Sequence, residues 1–125
     1  DVYKRQDKEG TVKLAQQFVD LGFTVYSTSG TASNLEEAGV PVEKLFKLAE
    51  GRPNVLDMIK NDEIAMIVNT PSGRSPRRDE VRIRSAAISH RIPITTTLRA
   101  ARACASAIAS QRDTDLEVKA LQDYH

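Results

Sequence analysis

The sequence contains one cysteine, no long apolar run and no excess of charge of either sign. Cys104 alone cannot form an internal disulfide, and no apolar run approaches the roughly 20 residues that a membrane-spanning helix needs. Eighteen basic residues against 17 acidic ones leave a net charge of +1, so no global field favours nucleic acid or an anionic membrane. We therefore expect a cytoplasmic protein in which any anion site is local.

The size and balance of the chain are those of one ordinary domain. Its 125 residues are 40% hydrophobic and 28% charged, which suits one buried core, and this length argues against two domains. No internal repeat, low-complexity tract or linker divides the sequence. We predict one domain over residues 7–125.

The first six residues, DVYKRQ, are treated separately. They read like a translated transposon-end adapter from sequencing-library preparation, so we interpret residues 1–6 as non-native; the alternative is an ordinary amino-terminal strand. A strand should precede the first helix, as one precedes every other helix, and Val2 and Tyr3 offer too little apolar surface to form it. We predict that the native first strand is missing and that the chain is poorly stable and prone to associate.

Helical and strand-like patterns alternate along the chain. Apolar residues at helical spacing predict helices over residues 7–21, 31–38, 54–60, 79–90 and 98–109, with Gly22 and Gly39 as stops. Short apolar runs predict strands at 23–27, 42–48, 64–68 and 92–97, with a turn at 28–30. The run IAMIV at 64–68 is apolar at every position, which favours a central strand covered on both faces. Residues 114–125 alternate weakly and are interpreted as a last strand or an extended arm.

This alternation predicts an α/β fold, an open and mostly parallel sheet with helices on both faces and with its first strand truncated. Ligands of such sheets bind beyond the carboxyl ends of the strands, where loops enter the next helices. That rule selects seven residues: Thr28, Ser29, Gly30, Thr31, Lys47, Asn69 and Thr70.

The selected residues have the chemistry of an anion site. Thr28 and Thr31 offer hydroxyls beside the free N–H groups of a helix start, where the dipole favours negative charge, and Lys47 adds a full positive charge. Plain helix capping explains the hydroxyls alone, and a lone lysine is ordinarily a solvated surface charge. Their convergence at one edge favours a phosphate or carboxylate site, with Asn69 and Thr70 on the side of the rest of the ligand.

Three longer segments, at residues 7–42, 50–74 and 95–103, carry a resemblance, and EGRPN and NTPSGR are its most specific parts. They resemble the carboxyl-terminal regulatory domain of the large subunit of carbamoyl phosphate synthetase, which is similar in fold to methylglyoxal synthase. The resemblance implies a Rossmann-like allosteric domain without catalytic residues, metal or cofactor of its own. It implies as partners a UMP- or IMP-like nucleotide effector, the upstream ATP-grasp synthetase domains and a glutaminase small subunit.

The resemblance also implies roles for individual residues. The phosphate-binding positions of the family fall on Lys8, Thr28, Thr31 and Lys47, and a contact with the rest of the effector falls on Asn69. Pro71 stands where some members have threonine, and the serine expected ahead of the first helix is not found in DVYKRQ. These departures leave pyrimidine and purine nucleotides as alternative effectors in carbamoyl phosphate synthesis, which serves pyrimidine and arginine biosynthesis.

Two other functions are considered. A lyase of the methylglyoxal synthase type, acting on a triose phosphate, needs a carboxylate base and a histidine near the phosphate. Asp57 falls inside a predicted helix and His90 at a helix end, so that acid–base pair is missing. The arginines of residues 74–84 could form a nucleic-acid surface, but Asp79 and Glu80 interrupt them and no aromatic residue is near for stacking.

Overall fold

The computed structural model describes the backbone of residues 2–69 and 77–123 and the side chains of residues 8–69 and 77–113. Helices and strands alternate, as predicted for an α/β fold, and no helix in the described part is long and apolar enough to cross a membrane. The elements are α1 (Val2–Asp20), β1 (Tyr26–Thr28), α2 (Ser29–Glu37), β2 (Glu43–Leu45), α3 (Val55–Lys60), β3 (Ile67–Val68), α4 (Arg77–Ser89), β4 (Ile94–Thr95) and α5 (Leu98–Asp123).

The four strands form two separate parallel pairs. β1 lies beside β2, with Thr28 opposite Leu45, and β3 lies beside β4, with Val68 opposite Thr95. Among the described residues no ladder joins β1 to β3, so the expected single sheet is divided in two. The predicted central position of residues 64–68 is wrong here: only Ile67 and Val68 are strand, and Val68 is 36% exposed because β3 has a neighbour on one side only.

The apolar core is divided in the same way. One cluster of buried residues covers the first strand pair and consists of Ala15, Leu35 and Val40, with Val25 and Val42 packed against it. The other covers the second pair and consists of Ile59, Ala87 and Ile92, with Ile67 and Ile94 packed against it. Each strand pair therefore has its own hydrophobic support.

The boundaries of α2 and the end of α1 follow from backbone conformation. Gly22 and Gly39 have φ values of +94° and +81°, which side chains with a Cβ rarely adopt, and they stop α1 and α2 as predicted. The turn predicted at 28–30 is wrong, because Thr28 ends β1 and α2 begins at the next residue. Thr28 is extended, with φ −75° and ψ 163°, so the last strand residue is also the N-cap of the helix.

Both terminal helices are longer than predicted. α1 starts at Val2, so residues 2–6 are helical and form no strand; their non-native origin stays a prediction. α5 continues to Asp123, so the last strand or extended arm predicted for residues 114–125 is wrong for residues 114–123, and residues 124 and 125 lie outside the described part. The chain has no glycine or proline after Pro93, and its last turns are rich in alanine, leucine, glutamate and lysine, which favour helix over the weak alternation.

A capping box fixes the start of α3 and the loop that leads to it. The Asn54 side chain accepts hydrogen bonds from the N–H groups of Leu56 and Asp57 at 3.0 and 3.3 Å and donates to the Gly51 carbonyl at 3.1 Å. The Asp57 carboxylate accepts from the Asn54 N–H at 3.0 Å and pairs with Arg52 at 3.1 Å. Asn54 is the one buried polar residue of the described core, and these hydrogen bonds all lie within three residues of it along the chain.

Asn54→Ala is expected to lower the free energy of unfolding by about 1–2 kcal/mol, because it removes the cap and leaves the first-turn amides without their acceptor. Urea denaturation with an unchanged slope measures the loss. Asn61→Ala, at the exposed end of the same helix, is the matched control and should change little. Equal midpoints for the two variants would contradict a stabilising cap.

Candidate anion-binding site

The start of α2 presents a row of unsatisfied donors. Ser29, Gly30 and Thr31 are its first three residues, and all are exposed. The Thr28 side chain makes no capping hydrogen bond, so the first-turn N–H groups have no acceptor from their own cap. This end of the helix can donate hydrogen bonds to a ligand.

Two other described helices have side-chain caps. Asn54 caps α3, and the Thr97 hydroxyl accepts a hydrogen bond from the Ala100 N–H at 3.1 Å near the start of α5. Threonine precedes both α5 and α2 but caps only α5, so the residue type alone does not explain the free amides at the start of α2. An anion there would be favoured by the helix dipole by about 0.3–1 kcal/mol.

Lys47 lies at the same edge. Thr28 and Leu45 are opposite each other in parallel strands, and Lys47 follows Leu45 by two residues. Its N–H donates to the Glu50 carboxylate at 2.9 Å, and its carbonyl accepts from the Glu50 N–H at 2.9 Å, so the backbone is held in a turn. The side chain is exposed and forms no ion pair with any described residue.

The remaining predicted residues are separated from this group. Asn69 follows β3, is half-buried and donates its N–H to the Thr95 carbonyl at 2.8 Å. It belongs to the second strand pair, across the division in the sheet from Thr28. Lys8 is exposed and is the seventh residue of α1, with no described ion-pair partner, and Thr70 lies outside the described residues.

Thr95, the last residue of β4, is a polar residue that was not among the site residues predicted from the sequence. Its hydroxyl is buried and has no hydrogen-bond partner within the described residues. A buried hydroxyl without a hydrogen bond lowers the free energy of unfolding by about 1–3 kcal/mol, so a hydrogen-bond partner for Thr95 at the end of β4 would stabilise the fold. The available signal was the run TTT at residues 95–97, which the sequence analysis assigns to the predicted strand 92–97 and to the resemblance but not to the site.

A cavity of about 330 Å³ lies beside the loop after β2. Arg52, Lys60 and Arg82 line it together with Glu50 and Asp57, and none of the seven predicted site residues that the structure describes does. Its two carboxylates offset two of the three cations, and Arg52 already pairs with Asp57. This cavity is a feature of the α3 loop and not part of the edge formed by α2 and Lys47.

The acid–base candidates of the lyase alternative have structural partners. Asp57 lies inside α3, as predicted, where it completes the capping box and pairs with Arg52. His90 follows the last residue of α4, as predicted, with its Nδ1 atom 3.6 Å from the Asp62 carboxylate. Residues 8–69 and 77–113 contain no group of three His, Cys, Asp or Glu side chains that could hold a metal ion.

Known proteins match this chain closely in sequence. The family model described as MGS-like domain matches residues 10–96. The carbamoyl phosphate synthase large chains of Rhodopirellula baltica and Synechocystis sp. are 45% identical over 115 residues and 48% identical over 118, which is 92% and 94% of this chain. A protein of Aquifex aeolicus named carbamoyl phosphate synthase large chain, C-terminal section, is 44% identical over 116 residues, 93% of this chain and 22% of that protein. The chain spans about 11% of the length of the first two relatives.

The chain is expected not to convert a triose phosphate into methylglyoxal, because Asp57 and His90 are each held by a structural partner. A colorimetric assay for methylglyoxal measures this directly. Product above the uncatalysed rate that disappears in Asp57→Asn or His90→Ala, but not in the exposed control Glu63→Gln, would contradict the expectation.

Proposed function

The chain belongs to the MGS-like domain family, and we propose that it is the effector-binding regulatory domain of a carbamoyl phosphate synthase large chain. In this proposal it binds the phosphate of a nucleotide and modulates carbamoyl phosphate synthesis, for pyrimidine and arginine biosynthesis, in ATP-grasp domains of the same chain that work with a glutaminase small subunit. The names of the relatives and the small share of their length that the chain covers support this assignment. The proposal gives this domain no catalytic residue and no cofactor.

The open first turn of α2 is the observation that carries the proposal. Its amides lack a side-chain cap, and an added Cβ at Gly30 would meet nothing within 4 Å. A ligand oxygen can therefore approach the Gly30 backbone without displacing protein atoms. Backbone donors at a helix start suit an oxyanion, because several N–H groups point in the same direction.

The neighbouring side chains favour phosphate among the oxyanions. The hydroxyls of Thr28 and Thr31 can each donate one hydrogen bond, and the Lys47 ammonium supplies a positive charge that forms no ion pair with a described acidic group. Charge-assisted hydrogen bonds are roughly twice as strong as neutral ones. A doubly charged phosphate gains more from this combination than a singly charged carboxylate.

Asn69 favours a ligand larger than inorganic phosphate. It lies on the second strand pair, whereas Thr31 and Lys47 belong to the first. A molecule that contacts both groups must extend across the division between the pairs, as a nucleoside monophosphate can. The Asn69 amide can donate and accept hydrogen bonds, and UMP-like and IMP-like effectors both fit that requirement.

Lys47→Ala is expected to weaken binding of UMP or IMP by about 10- to 100-fold, since a charge-assisted hydrogen bond contributes about 1.5–3 kcal/mol. Thr31→Val should weaken it less. Calorimetry measures both, with Lys44→Ala and Thr31→Ser as matched controls; Lys44 lies inside β2 and pairs with Glu36 at 3.8 Å. Unchanged affinity in both test variants would remove Lys47 and Thr31 from the site.

Thr28→Asp is expected to separate binding from folding. Aspartate is a better N-cap than threonine, so the ligand-free variant should gain about 0.5–1 kcal/mol of unfolding free energy. Its carboxylate would occupy the first-turn amides of α2 and repel a phosphate, so nucleotide affinity should fall about tenfold or more. Urea denaturation and calorimetry on the variant and on Thr28→Ser test both effects, and full affinity in a stabilised Thr28→Asp protein would place the ligand elsewhere.

A further inference from the structure

The outer surface of α4 carries apolar side chains that the core does not use. Ile83 and Ala87 pack in the second core cluster and mark the inner face of the helix. Val81 and Ile88 are seven residues apart, which places them together on another face, and they are 56% and 70% exposed. Four large hydrophobic side chains are exposed in the described part of the chain, and two of them therefore share this one helix face.

Arginines alternate with this apolar pair. Arg77 lies four residues before Val81, and Arg84 lies four residues before Ile88, so residues 77, 81, 84 and 88 form one row, the α4 face. Both arginines are exposed and form no ion pair with a described residue, not even with Glu80, one turn before Arg84. The α4 face therefore presents two positive charges that form no described ion pair, beside two apolar side chains.

The cations of this part of the chain are all arginine. Residues 61–118 contain nine arginines and no lysine, whereas residues 7–60 contain five lysines and one arginine. Either side chain keeps a solvated surface charged, so solubility does not require arginine. The planar guanidinium binds a carboxylate through two parallel hydrogen bonds, and protein interfaces are enriched in arginine and depleted in lysine. The use of arginine on the α4 face favours contact with carboxylates over contact with water alone.

The chemistry of the α4 face selects among possible occupants. A second copy in a twofold contact would bring the four arginines of two α4 faces together without a carboxylate between them, and like charges disfavour that contact. Nucleic acid would pair with the arginines but leave Val81 and Ile88 without an apolar partner, and the face has no aromatic side chain for stacking. A protein surface with an apolar centre and flanking carboxylates matches all four residues.

We propose that the α4 face docks on another domain of the same full-length chain, at an apolar surface flanked by aspartate or glutamate side chains. The chain spans about 11% of the length of its full-length relatives, and a chain of that length has room for a partner domain. Interfaces between domains of one chain are small and more polar than obligate interfaces, which fits a face of two charged and two apolar residues. The proposal rests on the proposed place of this domain in a longer chain and is independent of the ligand at α2.

The test uses the full-length chain, with a benzophenone-bearing amino acid in place of Ile88 as a photo-cross-linker. The control places the same amino acid at Ser106, which is exposed on α5. Mass spectrometry is expected to find cross-links from position 88, but not from position 106, to one peptide outside the present 125 residues. That peptide should contain apolar residues and at least one aspartate or glutamate. A mixture of isotopically light and heavy protein should give these cross-links within one chain and not between chains.

Charge reversal tests the contribution of the arginines. Arg77→Glu with Arg84→Glu should lower the cross-link yield from position 88 by about tenfold or more, because carboxylates would then face carboxylates. Arg77→Lys with Arg84→Lys keeps the charge and should lower the yield less. The same reversal at Arg99 and Arg102, which are exposed on α5, is the matched control and should leave the yield unchanged.

Several results would overturn the proposal. Equal cross-linking from positions 88 and 106 would mean that the α4 face is solvated. Cross-links between light and heavy chains would assign the face to a second copy, and cross-links to another protein or to nucleic acid would also contradict docking within the chain. A yield that survives the reversal of Arg77 and Arg84 would mean that the face does not recognise carboxylates. Nucleotide affinity is not measured in this experiment, so failure of effector binding at α2 and failure of docking at α4 are distinguishable.

Discussion

Both strand pairs are parallel, and every chain segment that leaves one strand must return through a helix before the next strand begins. This constraint brings the carboxyl ends of paired strands to a common edge, where Thr28 and Lys47 converge. The ladders themselves are short, two or three residues each, and an intramolecular hydrogen bond contributes only about 0.5–1.5 kcal/mol. Burial of one side chain such as Leu35 or Ile59 contributes about 1.5–3 kcal/mol, so helix packing supports the strands rather than the reverse.

The sequence predicted the helices better than the strands, for a physical reason. The backbone hydrogen bonds of a helix form within the helix itself. Its apolar periodicity and the glycines that end it, such as Gly22 and Gly39, can therefore be recognised in the local sequence. A strand forms its backbone hydrogen bonds with another strand, and the local sequence does not show which strand that is. Residues 64–68 are apolar enough for a central strand, yet only Ile67 and Val68 pair, because β3 has a partner on one side. Residues 114–125 were misread because weak alternation was given more weight than the absence of a helix breaker.

The sequence predicted where in the fold the candidate site lies, but it did not predict the hydrogen bonds within the site. The rule that ligands bind at strand ends selected Thr28 and Lys47, and parallel pairing places both at one edge. Sequence could not say which threonine caps its helix: Thr97 does and Thr28 does not, a choice that depends on side-chain rotamer and surroundings. The burial of the Thr95 hydroxyl is equally invisible in sequence, because it is set by residues that pack over it.

Arg112 ties the two long helices together at the end remote from this edge. Its guanidinium donates to the Leu21 carbonyl just past α1 and lies 5.4 Å from the centre of the Phe23 ring, which in turn packs edge-on against Phe18 at 5.6 Å. The contact closes a loop of 91 residues with one surface side chain. The middle of α5 and the segment leading into β1 are therefore cross-linked by one exposed side chain, so the position of residues 21–23 depends on where α5 lies.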